Sequence, residues 1–301
     1  MSSELVNAAR SGQLSKVQAL LDAGRCGINE ADDNNDNALC AAALLGHADV
    51  VEELIRRGAD IRQRGRYNWT PLMTAVQCHS SSEPTRILLA ALLDPIRSYS
   101  GAEIDAETND GRQETALHVA CKTFIPAATV RLLIDNGADL YKPDAQGNLA
   151  VHVAAAQGCA ETLRCLLGGD DGRKLVNIAQ MGGKEYTPLH LAMIYKKIEC
   201  ARVLVDEHAA DCNRTDRLRN APLYNACDAK FVDGVSFLIA RGANLNATSN
   251  GTSALIKAVS RELTTCVRDL LRGGAQAHYA SLQGNTALHA AVNVGEHKRT
   301  L

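Results

Sequence analysis

A four-residue pattern recurs along the whole chain at a nearly constant interval. In most copies it opens with Thr, Ser or Asn, continues with Ala or Pro and then Leu, and its commonest last residue is His. Successive copies lie 32 to 34 residues apart, except for two intervals of 45 and 38 residues. The copies begin at residues 3, 37, 70, 115, 149, 187, 221, 253 and 286. A period in this range predicts structural units that stack in order along the chain.

Each repeat carries the local signals of two short helices. An opening residue such as Thr187 is a typical helix N-cap, and Pro188 after it suits the first helical position. In the second copy a further helix is predicted over residues 48–57, and Gly58 is expected to end it in the left-handed conformation. Because one such helix pair cannot bury its own apolar face, neighbouring units must pack on each other.

The tetrads and their spacing resemble those of the ankyrin repeat family, and the resemblance covers essentially the whole chain. A second family signature, Gly-Ala followed by a polar residue, recurs half a repeat later, as at Gly58–Asp60 and Gly137–Asp139. The resemblance implies an all-α solenoid of about nine stacked helix-turn-helix units with hairpin-like loops, in a single domain over residues 1–301. The approximate repeats are 1–32, 33–65, 66–110, 111–144, 145–182, 183–216, 217–248, 249–281 and a truncated 282–301.

One long interval and the incomplete last copy depart from this period. The 45-residue interval contains an insertion that includes residues 94–100. The ninth copy stops where its second helix is predicted to begin, and no capping repeat follows it. From that pattern we expect the chain to be the N-terminal part of a longer protein.

Composition and charge exclude several classes of protein. With 32 Lys and Arg against 34 Asp and Glu, the formal net charge is -2, which argues against a dedicated nucleic-acid binder. No apolar run approaches the roughly 18 residues of a membrane-spanning helix. The ten cysteines form no CxxC motif and no signal peptide precedes them, so we expect reduced thiols in a cytoplasmic or nuclear protein.

The histidines are the obvious candidates for chemistry. His118, His152, His190 and His289 each end a tetrad, without a Cys or carboxylate at a fixed spacing. The family resemblance implies that they hydrogen-bond between neighbouring hairpin loops. The Cys78-His79 pair lacks the further ligands that a metal site needs. We therefore expect no enzymatic activity, no metal and no cofactor.

Partner-binding residues can be placed from the same resemblance, which implies that loop tips and the exposed side of each first helix line a concave surface. Exposed Trp, Tyr and Arg are the usual anchors of protein interfaces. Two kinds of position, one before each cap and one after each Ala pair, meet these conditions. The candidates are Arg66, Tyr67, Trp69, Arg112, Lys122, Lys184, Tyr186, Ile194, Tyr195 and Arg217.

The expected function is a non-catalytic protein-interaction module that recruits a peptide or protein on this surface. It would belong to a longer adaptor, such as a ubiquitin-ligase substrate receptor or a signalling scaffold. Two alternatives stay open: the regulatory region of an enzyme whose catalytic domain follows residue 301, and a purely architectural repeat. We expect an acidic or mixed-charge protein partner, no nucleic acid, no membrane insertion and a monomeric state.

The resemblance also implies a modification, because cytosolic ankyrin repeats are substrates of an asparaginyl hydroxylase. The modified Asn lies in the loop after the second helix. Asn246 fits best, with Leu238 eight residues before it, and Asn213, preceded by Asp211 and Cys212, is the alternative.

Overall fold

The computed structural model describes residues 2–78, 82–93, 104–123, 125–169, 171–249, 251–281 and 283–299. Its contacts divide the chain into two compact units, residues 1–150 and residues 151–301. The insertion predicted at residues 94–100 lies outside the described residues, as does His79.

The first unit contains four helix pairs, each at the position that a tetrad predicts. The inner helices of these pairs pack in the order α1, α3, α5, α7, and the outer helices in the order α2, α4, α6, α8. The helices are α1 (Ser2–Arg10), α2 (Leu14–Asp22), α3 (Ala38–Leu45), α4 (Ala48–Arg56), α5 (Pro71–Ala75), α6 (Glu83–Leu92), α7 (Ala116–Lys122) and α8 (Ala127–Asp135).

The second unit repeats this arrangement, and helix α9 begins at Ala150, where the first unit ends. Helices α12, α14, α16 and α18 pack in sequence on the inner side, and α13, α15 and α17 on the outer side. The helices are α9 (Ala150–Gln157), α10 (Ala160–Leu167), α11 (Gly172–Leu175), α12 (Pro188–Ile194), α13 (Ile198–Arg202), α14 (Pro222–Asp228), α15 (Val232–Ala240), α16 (Ala254–Ser260), α17 (Thr264–Arg272) and α18 (Ala287–Arg299).

Besides α-helices and loops, the described residues contain three short segments of other regular structure. A 3-10 turn covers Arg66–Asn68. A π-helical segment, Val203–Glu207, continues α13. The strands β1 (Thr248–Ser249) and β2 (Thr252–Ser253) form a short antiparallel pair in one hairpin loop. The all-α solenoid fold predicted from the repeats is therefore confirmed.

The predicted caps begin most of the inner helices. The side chains of Asn37, Thr70, Thr115, Thr187 and Ser253 each accept a hydrogen bond from the backbone N–H three residues later. Gly58 has φ = 90°, in the left-handed conformation expected after α4. The first copy differs, because α1 begins at Ser2 and thus includes Ser3, the first residue of its tetrad.

The ninth repeat also differs from its prediction. A second helix was expected to begin near the end of the ninth copy, but α18 is continuous from Ala287 to Arg299. Gly295 occupies the position at which Gly46 ends α3 with φ = 83°.

Three buried histidines each connect one repeat to the next repeat within the same unit. The Nε2 atoms of His118, His152 and His190 lie 2.9, 3.0 and 3.0 Å from the carbonyl oxygens of Asn148, Ile178 and Asn220. The hydrogen bonds between loops that the resemblance implied are thus confirmed at these positions.

The same rings also complete the helix caps. In His190, Nδ1 accepts a hydrogen bond from the backbone N–H of Thr187 at 3.2 Å, and in His118 it accepts one from Thr115 at the same distance. Since Nδ1 accepts, the neutral ring carries its proton on Nε2 and donates it to the next loop.

Removing one of these rings should destabilise the chain. We expect His190→Ala to lower the free energy of unfolding by about 2 kcal/mol or more, because it leaves the buried Asn220 carbonyl and the Thr187 N–H without their partner. The matched control is His289→Ala, since His289 makes the same cap contact at an exposed site. Its expected cost is below about 1 kcal/mol. Urea-unfolding midpoints measure both, and equal shifts would contradict the assignment.

Acid should weaken the fold through the same histidines. Burial lowers the pKa of His118 and His190 below the ordinary value of 6.5. The unfolded chain then binds more protons than the folded chain just below that value. Stability is complete above about pH 6.5 and falls as the pH drops toward the lower folded pKa.

We therefore expect urea unfolding to give a lower stability at about pH 5.5 than at about pH 7.5. The double variant His118→Ala, His190→Ala should lose less stability over the same interval. An identical pH dependence in variant and wild type would assign the acid sensitivity to other groups.

Candidate functional site

The loop tips between repeats share one hairpin geometry. In three of them an Asp opens the turn, and its Oδ1 accepts the backbone N–H groups two and four residues later. The donors are Asn34 and Asp36 for Asp32, Gln146 and Asn148 for Asp144, and Leu218 and Asn220 for Asp216, all at 2.8 or 2.9 Å. These carboxylates fix the shape of the tip from within the loop.

Each loop tip is numbered by the tetrad that follows it, so that the tip containing Asp32 is the second. The third loop tip, residues 65–69, lacks this carboxylate. Gly65 stands where these three tips have Asp, and it closes the hairpin by donating its N–H to the carbonyl of Trp69 at 2.9 Å. A side chain at this position would meet Cys40, since a Cβ on Gly65 would lie 2.9 Å from the Cys40 sulfur. The close approach of the tip to α3 therefore requires glycine.

The same tip holds a tyrosine in an uncommon backbone conformation. Tyr67 and Asn68 both have positive φ, at 60° and 61°. A bulky side chain rarely adopts this region, which costs about 1–3 kcal/mol and tends to occur at functional sites. The turn holds the Tyr67 ring 66% exposed, with its centroid 6.2 Å from that of Trp69.

These aromatic residues line a cavity of about 370 Å³ within the first unit, which we call the Trp69 cavity. Its walls come from the third loop tip, the second loop tip and the ends of α1, α3 and α5. The lining residues are Arg10, Asn34, Asp36, Leu44, Arg66, Tyr67, Trp69, Thr74 and Gln77.

Charge inside the cavity is largely balanced. Arg10 contacts Asp36 at 3.0 Å and Asp32 at 3.4 Å. Burial alone would raise the pKa of Asp32, but hydrogen bonds from the backbone N–H groups of Asp36 and Asn34 and from Arg10 outweigh it and lower that pKa. Arg10 and its two carboxylates therefore form a closed ion-pair cluster.

The other candidate cations of the first unit lie outside this cavity. Arg112 is exposed and lies 3.5 Å from Asp110 in the same loop. Lys122 is half-buried and ion-paired with Glu114, whose side chain is only 3% exposed. Glu114 is thus a buried partner of Lys122, not an exposed neighbour, and the Lys122 charge is already compensated.

The second unit places three of its candidates together on adjacent loop tips. Lys184 lies 5.6 Å above the ring of Tyr186, and that ring stacks on His190 with centroids 5.8 Å apart. Arg217 on the next tip donates its backbone N–H to the Lys184 carbonyl and its guanidinium to Gly183. Two exposed cations thus flank one half-buried tyrosine.

The remaining two candidates follow one another at the end of α12. Ile194 is half-buried, and Tyr195 is the residue after the helix, 55% exposed. The Tyr195 ring is therefore available for a contact.

The two candidate asparagines belong to a series of bonds between second-helix loops. Asn213 accepts the backbone N–H of Asn244 at 2.7 Å, and Asn246 accepts that of Gln276 at 2.8 Å. Asn213 is exposed and Asn246 half-buried. Each side chain therefore takes part in the contact between neighbouring repeats.

Neither Arg10 nor Thr74 was among the contact residues predicted from the sequence. The signal for Arg10 was present, because it follows Ala8 and Ala9 as Leu44 follows Ala42 and Ala43. Thr74 gave no such signal, since its contribution depends on how α5 packs behind the third loop tip.

The described residues offer neither a metal-binding cluster nor a membrane-spanning helix. None of their His, Cys, Asp or Glu side chains form a group of three or more that could hold a metal ion. No helix in the described part of the chain is long and apolar enough to cross a membrane. Burial raises the pKa of the Cys40 thiol beside the cavity to about 12, so this thiol is neutral at physiological pH.

Known proteins show similarity along most of the chain. The mouse B-cell lymphoma 3 protein homolog is 31% identical over 224 residues, which are 74% of this chain and 48% of that protein. Dog inversin is 29% identical over 209 residues, 68% of this chain and 18% of its own length. The Arabidopsis thaliana E3 ubiquitin-protein ligase KEG is 24% identical over 298 residues, 96% of this chain and 18% of that ligase. The chain spans about half or less of each relative.

A family model described as ankyrin repeats in three copies matches residues 5–97, 89–178 and 173–249. The matches follow one another without a gap across most of the chain. They agree with the capped inner helices and with the histidine bonds between neighbouring repeats, and together these findings show that the chain belongs to the ankyrin repeat family.

Proposed function

We propose that this chain is a non-catalytic protein-interaction module that binds a peptide or protein with its loop tips and the exposed sides of its inner helices. The observation that carries the proposal is the Trp69 cavity, where the only Trp of the chain lines a concave site together with an exposed Tyr and an exposed Arg. Aromatic and Arg side chains in such a setting are typical interface anchors.

The backbone of the third loop tip supports this proposal. The positive φ of Tyr67 is energetically unfavourable, and the turn holds the ring in solvent. Folding alone gains little from that arrangement. A partner that covers the ring would recover the apolar burial that the free chain forgoes.

A further contact region is proposed in the second unit. It consists of Lys184, Tyr186, Ile194, Tyr195 and Arg217. Its cations would meet an acidic part of the partner, while Tyr195 supplies exposed aromatic surface. Arg112 and Lys122 are the weaker candidates, since each has a carboxylate neighbour. The proposal includes a monomeric module in the cytoplasm or nucleus.

The larger role proposed is that of an adaptor, such as a substrate receptor of a ubiquitin ligase or a signalling scaffold. A regulatory role within an enzyme is the second candidate. One observation favours it, namely the similarity of 96% of this chain to part of an E3 ubiquitin-protein ligase. Identifying captured proteins by mass spectrometry separates the two, because an adaptor should capture a ligase subunit in trans.

The binding surface can be tested with single aromatic substitutions. Partners captured by the wild-type chain are identified and then titrated against Trp69→Ala, Tyr195→Ala and Arg66→Ala. Each aromatic truncation should cost about 2 kcal/mol or more, roughly thirtyfold in affinity. Arg66→Ala should cost less, and mostly at low salt, because exposed charges mainly affect association rates.

The matched control is Tyr279→Ala. Tyr279 is an exposed aromatic residue, 39% accessible, beside His278 and outside both proposed regions. It should bind the partner like wild type. If both Trp69→Ala and Tyr195→Ala also bind like wild type, the partner contacts another face and the proposal is wrong.

The hydroxylation proposal has its own test. We propose Asn246 as the substrate asparagine and Asn213 as the alternative. The chain is expressed with and without an active asparaginyl hydroxylase, and peptides covering both residues are analysed by mass spectrometry. A single added oxygen on Asn246 that depends on the hydroxylase is expected. Unmodified peptides at both positions would reject the proposal.

A further inference from the structure

The arginines around the third loop tip differ in what they contact. Arg62 lies 3.8 Å from Asp60, and Arg64 donates a hydrogen bond to the Asn68 carbonyl at 2.8 Å. Arg66 is exposed, and its guanidinium lies 5.0 Å above the Tyr67 ring. Among the described residues no carboxylate is in ion-pair contact with Arg66.

Among the described residues, Arg66 is thus the cation of the Trp69 cavity that has no carboxylate beside it. Arg10 on the opposite side is paired with two carboxylates, Asp32 and Asp36, so that this cluster keeps an excess of one negative charge and disfavours an acidic ligand group there. Arg66 at the rim has only an aromatic face for its partner. A ligand group next to this rim would gain most from a single negative charge.

The interior of the cavity favours an apolar group. Its lining includes Leu44, which is 41% exposed at the end of α3, and the aromatic residues Tyr67 and Trp69. An apolar cavity of about 150 Å³ holds a molecule of the size of benzene. The 370 Å³ here therefore accommodates a large aliphatic or aromatic side chain together with part of its backbone.

We propose that the Trp69 cavity binds an extended peptide segment of the partner, with one large apolar side chain inside the cavity and a neighbouring Asp or Glu paired with Arg66. The inference rests on the proposed function and gives the ligand its chemistry. A single carboxylate matches a single free guanidinium. Asp33, exposed on the second loop tip, disfavours a further acid on that side and so orients the segment.

The experiment selects random linear peptides displayed on phage against the wild-type chain and against Arg66→Glu. Wild-type selections should enrich peptides with one large apolar residue next to an acid. Arg66→Glu should enrich the same apolar residue next to Lys or Arg. The matched control, Arg62→Glu, places the same charge change on the same loop outside the cavity and should return the wild-type pattern.

Affinity measurements then test the pairing directly. A selected peptide should bind Arg66→Glu at least about tenfold more weakly than wild type, and exchanging its acid for Lys should restore binding to that variant. Quenching or a spectral shift of the single Trp reports contact at the cavity in the wild-type chain. Trp69→Phe keeps a ring behind the tip and should bind with intermediate affinity, which separates loss of contact from loss of folding.

Three outcomes overturn the inference, each with a different meaning for the proposed function. Peptides that bind equally well to Arg66→Glu and wild type would keep the interaction module but place its ligand elsewhere. No enrichment by any of the proteins would reject both. Sedimentation that shows a dimer abolished by Trp69→Phe would make a second copy of the chain the occupant of the cavity.

Discussion

The hydrogen bond from a buried histidine to a carbonyl of the following loop connects the local and the long-range order of this chain. In His118 and His190 one ring nitrogen completes the cap of its own helix, and the other holds the next loop tip. The same side chain therefore sets where a helix begins and how closely the next loop tip approaches it. Because each ring must stay neutral to make both bonds, burial and hydrogen bonding support one protonation state.

The candidate site lies beside one of the repeats that lack this histidine; others have Met73, Tyr224 or Ile256 at the same position. Cys40 stands at the tetrad position that His118 and His190 occupy, and its small side chain lets Gly65 approach α3 closely. The third loop tip then closes without a carboxylate inside the turn, which leaves the loop with two left-handed residues and a ring pair at its end. Cys in place of His at this tetrad position therefore accompanies an altered third loop tip, and that tip lines the Trp69 cavity.

Sequence patterns predicted the features that depend on nearby residues. The caps at Thr70, Thr115 and Thr187 follow from residue type and position alone, and so does the left-handed glycine after α4. Trp69 was predicted as a contact from its residue type and its position before a cap, and that role stays a prediction. The pairing of Lys122 with Glu114 was not foreseen, since burial of that carboxylate depends on how the loop packs over α7. The ion-pair cluster at Arg10 joins residues more than 20 positions apart, and the period of the repeat does not encode it.

Gly65 also has a meaning for protein engineering. A designer who averages the repeats of this chain would write Asp at that position, because Asp32, Asp144 and Asp216 all brace their own turns. Such an average would place a carboxylate against the Cys40 sulfur and remove the reason for the Tyr67 turn. The idealised chain would keep its helices and lose the most individual part of its surface. In a solenoid of near-identical units, recognition is therefore encoded in the residues that consensus design removes first.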